Sequence, residues 1–320
     1  MGRIVVLGSL NTDLVTMVPH LPRPGETVLG GDLRTFPGGK GANQAVAAAR
    51  LGGQVAMVGR VGKDAFGAAL IEGLAADGVD TQGITADPAL RTGAALILVD
   101  ERGQNQIAVA PGANRAVGPQ EVSTALEMLG PGDMLLVQQE IPAAAVRDAI
   151  RGTRSAVLLN AAPPLPLEPE LLQRLDVLVV NETEAEALFG RPVTGPEAAL
   201  EITGLPRRAG VNLAVVTLGA AGAAFSDGQA SELVAAFDVH AVDATAAGDA
   251  FVGALAVALV AGTTARGAVR LANAAGAAAT TKAGAQSSLP SPSDLKRLFD
   301  IDWPAVQPTH ARKPRKEARV

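Results

Sequence analysis

The run Asp243-Ala244-Thr245-Ala246-Ala247-Gly248-Asp249 has the spacing that most directly suggests chemistry. Ala246, Ala247 and Gly248 are too small to shield their own backbone N–H groups. They precede a long apolar segment whose pattern predicts a helix, and the first amides of a helix lack intrahelical partners. The dipole there supplies about half a positive charge, so the run reads as an anion hole. A carboxylate at Asp249, directly beyond those amides, stands where an approaching hydroxyl can surrender its proton while a phosphoryl group lies against the N–H groups. An isolated Gly-Asp pair also serves simply as an acid that complements the helix dipole, so its reading depends on what surrounds it.

Two nucleotide signatures that rely on glycines at fixed spacing fail here. Gly8-Ser9-Leu10-Asn11-Thr12-Asp13 lacks the second and third glycines of a dinucleotide loop, and Gly39-Lys40 is followed by Gly41 where a P-loop has Ser or Thr. Neither a dehydrogenase nor a P-loop NTPase is favoured. The 320 residues contain no cysteine, which removes disulfides, Fe–S clusters and thiol nucleophiles. His20, His240 and His310 show no spacing for a catalytic triad. A net charge of -5 and an aromatic content of 2%, without tyrosine, argue against a nucleic-acid or membrane partner and for a small molecule.

These groups need a scaffold to bring them together. Ile4 to Leu7, Val55 to Val58, Met134 to Gln138, Ala156 to Asn160, Val177 to Val180 and Leu213 to Thr217 are short apolar runs that read as buried parallel strands. Between them lie helical patterns at 41–51, 65–77, 119–129, 142–151, 168–175, 183–188 and 196–208, with two Ala-rich helices after Gly248 and Ala265. This predicts an α/β fold, a doubly wound and mostly parallel sheet flanked by helices, over residues 1–12, 38–91 and 111–300. The Pro- and Gly-rich stretch 13–37 and a hairpin within 92–110 are expected to pair as a small β-sheet lid, with Phe36, Leu96, Leu98 and Val109 on its covered or partner-facing side. The basic tail 301–320 reads as disordered. The opening apolar stretch is too short for a signal-peptide core of roughly 7 to 15 residues, and 250–265 reads as a buried helix, so the chain is expected in the cytoplasm.

Gly38 to Gln44, Asn181-Glu182-Thr183-Glu184, Thr217-Leu218-Gly219 with Gly222, and Asp243 to Asp249 together resemble the ribokinase-like carbohydrate kinase family, a likeness running from Gly8 to about Ser288. The resemblance implies a sugar pocket made by Asn11, Asp13, Gly39, Lys40, Asn43 and Glu140, with Asp249 as the base. Side chains of these types suit a furanose, whose hydroxyls each donate and accept. It implies ATP held by Thr217, Gly219, Gly222, Gly248 and Asn273, and Mg²⁺ organised through Asn181 and Glu184, a pair that also fits a helix capping box. It further implies K⁺ beside Asp243, Thr245, Ala279, Lys282, Gly284 and Ser288, and a homodimer through the lid sheet. Two departures stand out. Asn160 is followed by Ala161-Ala162-Pro163 where the family commonly places proline next, and Lys282-Ala283-Gly284 replaces a more basic run. The implied reaction is ATP-dependent phosphorylation of D-ribose at O5. Deoxyribose, fructose or a nucleoside as acceptor, or a sugar sensor without turnover, remain alternatives.

Overall fold

The computed structural model describes residues 2–303. The chain opens with β1 (Ile4–Leu7), crosses into a small sheet as β2 (Asn11–Val18) and β3 (Arg34–Gly38), and returns through α1 (Lys40–Arg50) to β4 (Val55–Gly62), α2 (Ala65–Ala76) and β5 (Asp80–Asp87). β6 (Gly93–Asp100) and β7 (Asn105–Ala110) complete the small sheet. Alternation resumes with α3 (Pro119–Met128), β8 (Met134–Val137), α4 (Ala143–Gly152), β9 (Ala156–Asn160), α5 (Pro169–Leu172), β10 (Val177–Asn181), α6 (Glu182–Phe189), α7 (Pro196–Arg208) and β11 (Leu213–Thr217). β12 (Ala223–Ser226), β13 (Ser231–Val234), α8 (Ala247–Val260), α9 (Ala265–Thr280) and α10 (Pro292–Phe299) follow.

The large sheet has nine strands in the order β13-β12-β11-β10-β9-β8-β1-β4-β5, parallel from β11 to β5 and antiparallel at β12 and β13. Its core strands are apolar on both faces because helices cover both. Ile4 and Val6 pack in the cluster that holds α1 and α8, and Val5 and Leu7 in the cluster that holds α4. From β1 the chain builds outward through β4 and β5, then crosses to β8 and builds the other way. The crevice outside the carboxyl ends of β1 and β8 is therefore the switch point where ligands of such sheets bind. One helix contact matters for that crevice. Gly253 of α8 lies so close to α1 that a Cβ there would stand 2.6 Å from the Ala47 methyl and 2.9 Å from the Gln44 carbonyl.

The small sheet runs β3-β2-β6-β7, with β2 and β6 parallel and the outer pairs antiparallel. It joins the early β element to the 92–110 hairpin as the sequence predicts, and its strands reach to Asn11 and Gly38. The apolar residues expected on one side divide between two. Register puts Phe36 and Val109 on the face shared with Asp13 and Ala95, while Leu96 and Leu98 share the opposite face with Leu14 and Thr16. The cause is strict period-two alternation along β6. Three elements beyond the predicted set are β5, the β12–β13 hairpin and α10. The expected tail starts too early, since Ile301 is buried and Trp303 packs on the core; the rest of that tail lies outside the described residues.

Candidate active site

Polar side chains, several of them singled out by the sequence, gather at the carboxyl ends of five parallel strands. Ser9 and Asn11 follow β1, Gln138 and Glu140 follow β8, and Asn160, Asn181 and Thr217 close β9, β10 and β11. The starts of α1, α6 and α8 face the same end of the sheet, which turns three positive dipole ends toward one crevice.

Asp249 occupies the first turn of α8 and is 7% exposed. Its Oδ2 accepts a hydrogen bond from Asn43 Nδ2 at 2.9 Å, and its Oδ1 accepts one from Gln44 Nε2 at 2.9 Å. Both donors belong to α1, and the close approach at Gly253 is what lets α1 reach across. The Asn43 Oδ1 atom is buried and has no partner among the described residues, so it is an acceptor awaiting a donor. Ala246 caps α8 in the left-handed region at φ 61°. Of the three amides expected to form the anion hole, Ala247 N–H donates to Ala244 O at 3.2 Å, while Ala246 and Gly248 N–H have no acceptor among the described residues. The space beside Gly248 is open, since a Cβ placed there meets nothing within 4 Å.

The predicted sugar residues converge on the same carboxylate. Lys40 starts α1, its backbone N–H donates to Glu140 Oε2 at 3.0 Å, and Ser9 Oγ donates to the same oxygen. The Lys40 ammonium is held above the usual lysine range by Asp249, working against burial, with Glu140 and Glu184 adding to it. Asp13 is pushed up to about 6, first by burial and then by the charges of Glu140 and Asp249. One lysine thus stands among three carboxylates. Gly39 links β3 to α1 at φ 89°, and a Cβ there would come within 2.7 Å of Asn11 N, so only glycine lets the two loops touch. Asn11 is 5% exposed, and its Oδ1 accepts from Asn114 Nδ2 at 2.7 Å.

The nucleotide residues form a second group. Asn181 and Glu184 make the reciprocal capping box of α6, each side chain accepting from the other's backbone N–H at 2.8 Å. Burial pushes the Glu184 carboxyl up, against the Asn181 hydrogen bond and the Lys40 charge. Thr217 pairs with Asn181 across β10 and β11. Gly219 and Gly222 shape a tight turn, with φ of 51° and 101°, closed by Leu218 N–H on Gly222 O. Asn273 donates through Nδ2 to the carbonyls of Val234, at 2.8 Å, and Ala235, so its amide nitrogen holds α9 to the end of β13. Only its carbonyl oxygen is left for another partner.

The third group joins two loops. Asp243 accepts from Thr245 N and Oγ1 on one oxygen and from Gly284 N on the other. Burial favours the neutral Asp243 carboxyl, and these donors outweigh it and hold the group below the usual carboxylate range. Ala279 O accepts from Lys282 N, the Lys282 ammonium pairs with Asp294 at 3.3 Å, and Ser288 Oγ donates to Ala285 O. Among the described residues, no three or more His, Asp or Glu side chains form a metal-binding cluster.

Residues 1–292 match the family model of the pfkB family carbohydrate kinases. The chain belongs to that family. This carbohydrate kinase is 40% identical over 302 residues to the ribokinase of Bacillus subtilis, covering 93% of this chain and 100% of the relative. It is 36% identical over 303 residues to the deoxyribokinase of Salmonella typhi, covering 93% and 99%. The ribokinase of Arabidopsis thaliana, solved with ribose and ATP, superposes with a TM-score of 0.85 at 30% identity, over 94% of this chain and 100% of that one. Sequence motifs assign no site role to Ser9, Gln44, Asn114, Gln138 and Asn160; the first three bond the predicted residues Glu140, Asp249 and Asn11, and Gln138 and Asn160 bond Gln44. Their types are common in turns and caps, and only the fold shows them buried and directed inward.

Proposed function

We infer that this carbohydrate kinase transfers the γ-phosphoryl group of ATP to O5 of D-ribose, giving ribose 5-phosphate and ADP. The observation that carries the reading is the buried Asp249 carboxylate, fixed by two amides beside the unpaired N–H groups at the start of α8. Asp249 takes the proton from the sugar hydroxyl as that oxygen forms its bond to phosphorus and the bond to the leaving β-phosphate oxygen breaks. The N–H groups of Ala246 and Gly248 stabilise charge on the transferring group, and Lys40 offsets the surrounding carboxylates. Asn11, Asp13, Gly39, Asn43 and Glu140 hold the sugar. The free Asn43 Oδ1 suits a hydroxyl donor, and a sugar whose hydroxyls are all paired is discriminated from analogues that lack one. Thr217, Gly219, Gly222 and the Asn273 carbonyl oxygen face the nucleotide.

Two cations fit the donor sets. Without a carboxylate cage, Mg²⁺ would ride on the nucleotide phosphates and water, with Glu184 and Asn181 meeting its hydration shell. A large monovalent ion such as K⁺ suits the single carboxylate and neutral oxygens of Asp243, Thr245, Ala279, Lys282, Gly284 and Ser288, where it would brace the loop before α8. The exposed apolar face of the small sheet supports a homodimer.

Asp249→Asn is expected to keep ribose binding by calorimetry and lose at least about a hundredfold in kcat; near-normal turnover would refute the assignment. The similarity to a deoxyribokinase favours 2-deoxyribose as the second acceptor. Comparing kcat/KM for ribose, 2-deoxyribose and fructose in an ADP-release assay, with potassium and then sodium, separates the readings.

A further inference from the structure

We propose that Gln44 is a positioning residue for catalysis, one that fixes the orientation of the Asp249 carboxylate. This rests on the reading of Asp249 as the base. Gln44 is fully buried on α1, and its amide sits in a directional chain. The chain starts at Val179 O of β10, a backbone carbonyl that can only accept. Asn160 must therefore turn its Nδ2 toward it, at 3.2 Å, which leaves Asn160 Oδ1 as an acceptor. Gln44 Nε2 donates to that oxygen at 2.9 Å, and its second proton goes to Asp249 Oδ1 at 2.9 Å. Gln44 Oε1 then accepts from Gln138 Nε2 at 2.6 Å. Every amide has one permitted orientation, and the direction is set by the sheet itself.

A purely structural role would be an expensive way to fill this space. Buried amides are costly unless paired, and an apolar side chain of similar volume would pack between sheet and helix without that demand. What the chain achieves is to hold one carboxylate oxygen with Gln44 while Asn43, the preceding residue, holds the other. The carboxylate plane is then fixed against rotation, with lone pairs left for the sugar hydroxyl. Geometry held to a fraction of an ångström matters to the transfer step more than to sugar affinity. The Gln44 side chain makes no hydrogen bond to the proposed sugar residues Asn11, Asp13, Lys40 and Glu140.

The test is a double-variant cycle on the full-length protein, using Gln44→Leu, Asp249→Asn and the two combined, with ribose binding followed by calorimetry. Gln44→Leu is expected to lower kcat by roughly 10- to 100-fold while ribose KM and Kd stay within about threefold. In the Asp249→Asn background, the same change is expected to lower kcat no further, because the group through which Gln44 acts is gone. Gln138→Leu, which leaves the Gln44 site filled, should shift kcat in the same direction by less and keep the enzyme measurable if Gln44→Leu folds poorly. An equal loss in both Asp249 backgrounds, or a loss confined to KM, would overturn the proposal and leave the kinase reading standing. A wild type that releases ADP with no sugar offered would overturn both.

Discussion

Residue by residue, the crevice places charges where stability alone would not. Asp13 is the clearest case, because burial and two neighbouring carboxylates push its carboxyl up to about 6. A folded-state value above the unfolded one means the fold favours the protonated form. Its contribution to stability is present at low pH and lost as pH rises toward 6. Asp13→Asn is therefore expected to raise Tm by about 3 °C at pH 8, with the gain shrinking toward pH 4.5 in a thermal-unfolding series. The ionised carboxylate is the stronger acceptor for a hydroxyl, so if Asp13 holds the sugar, wild-type kcat/KM for the sugar should fall as pH drops below about 6, and that limb should vanish in the variant. A flat profile would remove Asp13 from the sugar site. Gly248 gives the converse test. An added methyl meets no protein atom there, and alanine is the better helix former. Gly248→Ala is expected to leave Tm unchanged or slightly higher while phosphoryl transfer drops at least about tenfold, because the methyl enters the space the phosphoryl group needs; full activity would show that space to be idle.

The elements explain why some of these residues were legible in sequence and others were not. Runs such as Ile4 to Leu7 and Met134 to Val137 announce doubly covered strands, and Gly-containing loops next to them announce their carboxyl ends. β5 hides because Asp80 to Asp87 mixes polar residues with a glycine, and an edge strand covered on one side needs no apolar run. The β12–β13 hairpin is two short pieces whose strand character depends on pairing with β11. Asn114 shows the same limit in the site. Its side chain accepts from Leu10 N, donates to Leu10 O and donates to Asn11 Oδ1, clasping β2 where the small sheet leaves the large one. Only the crossover connection brings residues 104 positions apart into that clasp. Asn114→Leu should therefore weaken sugar binding without touching sugar, with KM rising roughly tenfold and kcat changing less, since a buried hydrogen-bonded amide contributes about 1–3 kcal/mol. A KM within twofold of wild type would reduce the clasp to packing.

For the whole molecule, the small sheet offers the surface through which the site would be tied to a second copy of the chain. The face that carries Asn11 and Asp13 continues away from the crevice as Val15, Met17, Ile97, Ile107 and Val109, because parallel register aligns β2 with β6 and antiparallel register aligns β6 with β7. Met17, Ile107 and Val109 are 46%, 54% and 58% exposed. One face therefore carries the proposed sugar residues at one end and offers an apolar surface at the other. Among the described residues no strand pairs with either outer edge of the sheet, β3 or β7. A sheet in this condition is an aggregation hazard unless a partner meets it. A second copy meeting it face to face would bury Ile107 and Val109 and stiffen the strand that carries Asp13. Ile107→Glu sets a charge in the middle of that contact. The variant is expected to run as a monomer in light scattering where the wild type runs as a dimer, with an unchanged Tm for the large domain. Because Ile107 lies opposite Ile97, which in turn pairs with Val15 two residues beyond Asp13, the sugar KM should rise several-fold in the same variant. A wild type that is monomeric, or a dimer that survives the charge, would place the partner elsewhere.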